Sequence, residues 1–179
     1  MVRPESALNT GINQRPIVSS AHLAAGGSPG LSEVEFSLTL AVTAYHRWMV
    51  HCMTASGMSQ LSPLEVLILH TVRHRDRPKS MADIALVLDI EETHLATYAV
   101  RKLTGAGLVT TVRQGKEKLV AATAEGIALC DRYGALREKL LVSAVGASGA
   151  SEEQLAATAQ LLRTLSGFYH QAARSAATL

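Results

Sequence analysis

Between residues 61 and 126 the hydrophobic period changes from that of helices to that of strands, and nothing else in the 179-residue chain constrains the fold as much. Ser62-Pro63-Leu64-Glu65 is a capping box with proline at the first helical position, where its missing N–H costs nothing. Leu64, Leu67, Ile68 and Val72 then give one apolar face. Ser80-Met81-Ala82-Asp83 caps a second, shorter helix with Met81, Ile84, Ala85 and Leu88 inward. After Asp89-Ile90 a third helix carries Ala96, Ala99, Val100 and Leu103 on one stripe, and Gly105 and Gly107 close it. Leu108 to Arg113 and Lys118 to Thr123 are short, β-branched-rich runs around Gln114-Gly115-Lys116, which predicts a hairpin.

Three short helices followed at once by a hairpin is the layout of a winged helix-turn-helix. In such a motif the third helix is held as a rod narrow enough for the major groove. Its inner face must be small and apolar, as Ala96 and Ala99 are. Its outer face must be polar, and here it offers Thr93, His94, Thr97, Tyr98, Arg101 and Lys102 as candidate DNA contacts. From the wing, Arg113, Lys116 and Lys118 are candidate phosphate contacts. The net charge of the chain is only +2, so the clustering matters more than the total. Between Thr93 and Ala121 five cations stand against Glu117 alone, and between Arg73 and Lys79 four stand against Asp76.

The flanking segments are helical in pattern. Residues 1–30 are rich in Asn, Gln, Ser, Pro and Gly and read as a flexible arm. Ser32 and Glu35 form a capping box that predicts a helix starting there, with Leu38, Val42, Tyr45, Met49 and Cys52 as its seam and Gly57 as its stop. After Gly126 a long helix carries Ile127, Cys130, Tyr133, Leu140, Leu141 and Val145, broken at Gly146 to Gly149. Ser151 to Gln154 caps a last helix with Leu155, Leu161, Leu162, Leu165 and Phe168 inward. A winged helix of this size cannot cover all these seams, which predicts a homodimer. The expected organisation is therefore an arm (1–30), an N-terminal dimerisation helix (31–58), a winged helix-turn-helix (59–126) and C-terminal dimerisation helices (127–179). The fold class is mostly α with a small β-hairpin wing.

The run Leu61-Ser62-Pro63-Leu64-Glu65, then Ile84-Ala85, Val100-Arg101-Lys102-Leu103 and Gly107-Leu108-Val109, resembles the MarR family of bacterial regulators. Ala122-Thr123-Ala124-Glu125-Gly126 is similar to that family's Leu-Thr-x-x-Gly at the exit of the wing. The resemblance implies a transcriptional regulator that binds double-stranded DNA, with the flanking helices building the dimer.

Other chemistry is weakly signalled. Hydrophobic residues make up 47% and charged residues 18%, which describes a globular chain rather than a disordered one. No apolar run is long enough to cross a bilayer and no charged-then-apolar leader opens the chain, so a cytoplasmic protein without membrane partners is expected. His70 and His74 could share a metal with His46 or His51, but packing or surface roles are the simpler reading. Cys52 and Cys130 read as small buried hydrophobes, although Cys52 could also sense peroxide. Trp48 and Tyr45 suit either core filling or a pocket for a small-molecule effector. No phosphate loop, His-Glu-x-x-His or Gly-x-Ser-x-Gly motif occurs, so neither catalysis nor a cofactor is expected. The competing function is a winged-helix module that binds protein, which Glu91 and Glu92 at the head of the third helix permit.

Overall fold

The computed structural model describes residues 16–19 and 21–179. The rest of the predicted arm, residues 1–15 and 20, lies outside the described residues. The chain divides into two compact units after Met49.

The first unit contains α1 (Ala21–Ala24) and most of α2 (Pro29–Ala55). The predicted start at Ser32 is corrected by three residues: the helix begins at Pro29, and Ser28 Oγ accepts the Leu31 N–H at 3.3 Å. Proline at the first helical position pulls the start back to the residue before it, as it does at Ser62-Pro63. Thr39 and Thr43 each donate their hydroxyl to the carbonyl four residues earlier, which occupies them within α2. Leu40, Val42 and Tyr45 are exposed along this helix.

The second unit is organised around α3 (Pro63–Arg73), on which α4 (Met81–Leu88), α5 (Thr93–Gly105) and α6 (Ala124–Arg137) all pack. Val66, Ile68, Leu69 and Val72 of α3 are fully buried with Ile84, Leu103, Leu108 and Leu129. Both predicted boxes at the heads of α3 and α4 form. Ser62 Oγ accepts from Glu65 N while Glu65 Oε2 accepts from Ser62 N, and Ser80 and Asp83 do the same.

Strands β1 (Val109–Gln114) and β2 (Glu117–Ala122) pair antiparallel from Val109↔Ala122 to Gln114↔Glu117. The hairpin turns through Gly115 and Lys116, with Gly115 at φ 61°, the left-handed first position of a tight primed turn. Each strand is offset by one residue from the predicted span, for a physical reason. Leu108 N is taken by Leu103 O in closing α5, and Thr123 leaves the ladder to cap α6. Lys79 makes an isolated antiparallel bridge to β2, bonding Val120 through both backbone groups at 2.9 and 2.8 Å.

The predicted long helix after Gly126 is α6, one π turn over Glu138–Val142, and α7 (Ser143–Ala147). The last helix, α8 (Glu152–Ala176), starts on the expected Ser151 and Gln154 box. Its apolar residues do not face inward as predicted: Leu155, Leu161, Leu162 and Phe168 are exposed and Leu165 is half-buried. A cleft of about 470 Å³ opens between the π turn and the start of α8, lined by Leu141, Val142, Val145 and Leu155.

Candidate nucleic-acid interface

Helix α5 is fixed from below. Ala96, Ala99 and Leu103 are buried, and the small alanines allow close approach to α3 and α4. Its head carries Glu91 and Glu92, both exposed, and Glu92 caps the helix without any side-chain hydrogen bond. These acids therefore add no cap; His94 Nε2 lies 3.3 Å from Glu92 Oε2.

The structure leaves most of the predicted contact residues exposed, on α5 and on the wing. Thr93, His94, Thr97, Tyr98 and Arg101 are all exposed on α5, and Arg113, Lys116 and Lys118 are exposed on the wing. Thr97 donates its hydroxyl to the Thr93 carbonyl at 3.0 Å, which leaves its methyl and the acceptor side of its oxygen free. Lys102 stands apart from this group. Its Nζ lies 3.0 Å from Oε2 of the buried Glu65 and donates to the Gln60 carbonyl at 2.7 Å. It ties α5 to the head of α3.

The basic stretch before α4 is also partly spent internally. Arg73 pairs with Asp76 and lies 3.6 Å from Asp131, while Lys79 Nζ donates to the His74 and Arg77 carbonyls. Arg75 and Arg77 stay exposed. At the other end of α4, Asp89 adopts a left-handed cap, and its Oδ2 lies 2.7 Å from Nε2 of His170 on α8.

Two features escaped the sequence pattern. Leu95 is 44% exposed beside Thr97 and Tyr98 on α5, and its signal was its position outside the Ala96, Ala99 and Leu103 stripe. Glu65 is a buried carboxylate with a lysine partner 37 residues away, for which local sequence carries no signal.

Among the described residues no three His, Cys, Asp or Glu side chains gather where they could hold a metal ion. His70 stacks edge-on against Tyr133 with centroids 4.6 Å apart, and burial holds its pKa below the usual imidazole range. Burial likewise raises the Cys52 thiol and pushes Cys130 up to about 11, so neither favours a reactive thiolate. Tyr45 is half exposed and its ring lies 6.5 Å from that of His46. No helix among the described residues is long and apolar enough to cross a membrane.

Comparison with known proteins agrees with this geometry. Residues 61–126 match the family model described as a winged helix DNA-binding domain. A MarR-family transcriptional regulator from a Rhodococcus species superposes with a TM-score of 0.62 at 16% identity, covering 78% of this chain and 96% of that one. CouR from Rhodococcus jostii, bound to p-coumaroyl-CoA, superposes with a TM-score of 0.61 at 18% identity over 77% and 95% of the two chains. MarR of Staphylococcus aureus, in complex with salicylate and kanamycin, gives 0.59 at 15% identity over 79% and 93%. No curated protein matches the chain by sequence. The chain thus carries a winged helix DNA-binding domain. Its architecture is that of the MarR-family regulators, as the run from Leu61 to Gly126 implies.

Proposed function

We propose that this protein is a MarR-type transcriptional regulator that binds a pseudo-palindromic duplex site as a homodimer. The observation that carries the reading is the single exposed surface of α5, buried on its other side and flanked by a wing whose Arg113, Lys116 and Lys118 are all exposed. The recognition helix enters the major groove, Arg101 pairs with guanine, and the wing cations meet phosphate or the minor groove. Lys102 contributes by holding α5 in place.

The exposed apolar residues of α2 and of α8 support the dimer, because water-facing leucines and aromatics in such numbers mark a surface that another chain covers. Two-fold symmetry then sets the recognition helices about 34 Å apart, on successive major grooves. Light scattering should find a dimer at micromolar concentration; a stable monomer overturns this part. The ligands held by CouR and by the staphylococcal protein support a small-molecule effector as a further partner. A cytoplasmic location suits a protein that reads chromosomal DNA.

Affinity for duplex DNA measured against salt tests the whole reading. A log–log slope of several units supports a phosphate-binding regulator. Weak binding without salt dependence would instead favour the protein-interaction module.

A further inference from the structure

The polar groups on the groove-facing half of α5 are fewer than the sequence suggests. The hydroxyl of Thr97 donates to its own helix at 3.0 Å, and His94 lies 3.3 Å from the Glu92 carboxylate. The ammonium of Lys102 is turned back to Glu65 and Gln60. Beside these polar groups the first two turns also expose apolar surface. Tyr98 is 64% exposed and Leu95 is 44% exposed; three residues apart on a helix, they lie side by side. Exposed leucine and tyrosine on so short a helix cost free energy in the unbound protein, and nothing in the core requires them there, since Ala96 and Ala99 already fill the inner face.

The major groove presents one apolar group only, the C5 methyl of thymine. From this we propose that Leu95 and Tyr98, with the methyl of Thr97, read thymine methyl groups, so that the N-terminal half of α5 selects thymines while Arg101 selects guanine. This inference rests on the reading of α5 as the groove-entering helix. It assigns to Leu95 a specificity-determining role rather than one in packing.

The test uses the full chain and duplexes that it selects from a random pool. Each thymine of a selected site is replaced in turn by uracil, which removes the methyl and keeps every hydrogen bond. The wild-type protein should lose about three- to fivefold in affinity for each contacted methyl, the worth of one buried carbon. Leu95→Ala and Tyr98→Ala should bind the thymine site more weakly and lose that uracil penalty at one position each. Affinity of both variants for a scrambled duplex, measured in parallel, separates loss of thymine selection from a general loss of DNA binding, which should be the smaller effect. If no uracil substitution changes affinity while the selected site is still preferred over the scrambled one, the inference fails and the regulator reading stands. A uracil penalty unchanged in both variants gives the methyl contact to other residues and overturns the assignment. If no duplex is preferred at all, the regulator reading falls and takes the inference with it.

Discussion

Arg113 and Lys118 are register partners across the wing hairpin, so two cations sit opposite each other on a two-stranded sheet. Like charges placed directly across a ladder destabilise it by a few tenths of a kcal/mol or more, roughly the scale of any cross-strand pair. A polyanion lying along the wing would remove that repulsion. Replacing Arg113, Lys116 and Lys118 by alanine should therefore weaken binding to all duplexes alike, and lower the salt slope by about 0.9 for each phosphate no longer neutralised. Titrations at several salt concentrations check this; an unchanged slope in the triple variant would remove the wing from the interface.

Thr123 and Gly126 join the wing to α6 in a way that leaves no room for a side chain. Thr123 Oγ1 accepts the Gly126 N–H at 3.0 Å and donates to the Gly107 carbonyl at 2.7 Å. A Cβ on Gly126 would lie 2.0 Å from the Leu108 oxygen, which is already bonded by Thr123. Gly126→Ala should destabilise the fold by about 1–3 kcal/mol, because backbone on both sides must move. Gly134→Ala on the same helix meets nothing within 4 Å and should be neutral or stabilising by roughly 0.5–1 kcal/mol. Denaturant midpoints for the two variants settle the matter; equal loss in both would mean that the close approach is not the cause.

Local grammar explains why so much of the fold is readable. The boxes at Ser62, Ser80 and Ser151 each satisfy helix-end donors within three residues, and all three form. Thr123 escapes, because its β-branched neighbours place it in the second strand and the helix after Gly126, whereas it caps α6 at Ala124. The start of α2 escapes because Ser28-Pro29 and Ser32-Glu35 are both valid starts, and only the chain as a whole chooses between them. The orientation of Lys102 is invisible because its partner lies 37 residues away, and helix periodicity alone puts it among the outward residues. The reversed face of α8 is a different case: the pattern identifies the apolar stripe but does not say which surface covers it.

Lys102 and Glu65 make a prediction that separates holding from touching. The Glu65 side chain is 4% exposed and that of Lys102 40% exposed, so the pair is half in solvent on the lysine side only. Removing the lysine leaves a buried carboxylate with the Ser62 N–H as its remaining hydrogen-bond donor. Lys102→Ala should cost about 1–3 kcal/mol of folding stability and weaken DNA binding without changing the salt slope. The double variant Glu65→Gln with Lys102→Met, which keeps the capping box, should recover part of that stability. A slope that falls by about one unit in Lys102→Ala would show a phosphate contact instead.

His70 gives the fold a pH dependence whose sign follows from its burial. Nε2 is buried without a hydrogen-bond partner and the ring packs against Tyr133, so protonation in the folded state is opposed and the pKa lies below 6.5. The unfolded chain then binds the proton more readily than the folded one. Stability is therefore fully present above the unfolded value of 6.5 and is lost as pH falls through it, levelling off only below the lowered folded value. Unfolding midpoints in urea between about pH 7.5 and pH 5 should show this loss. His70→Phe keeps a ring against Tyr133 and cannot be protonated, so its stability should vary less across that range than the wild type's. Parallel losses in the two proteins would assign the pH dependence to another of the seven histidines.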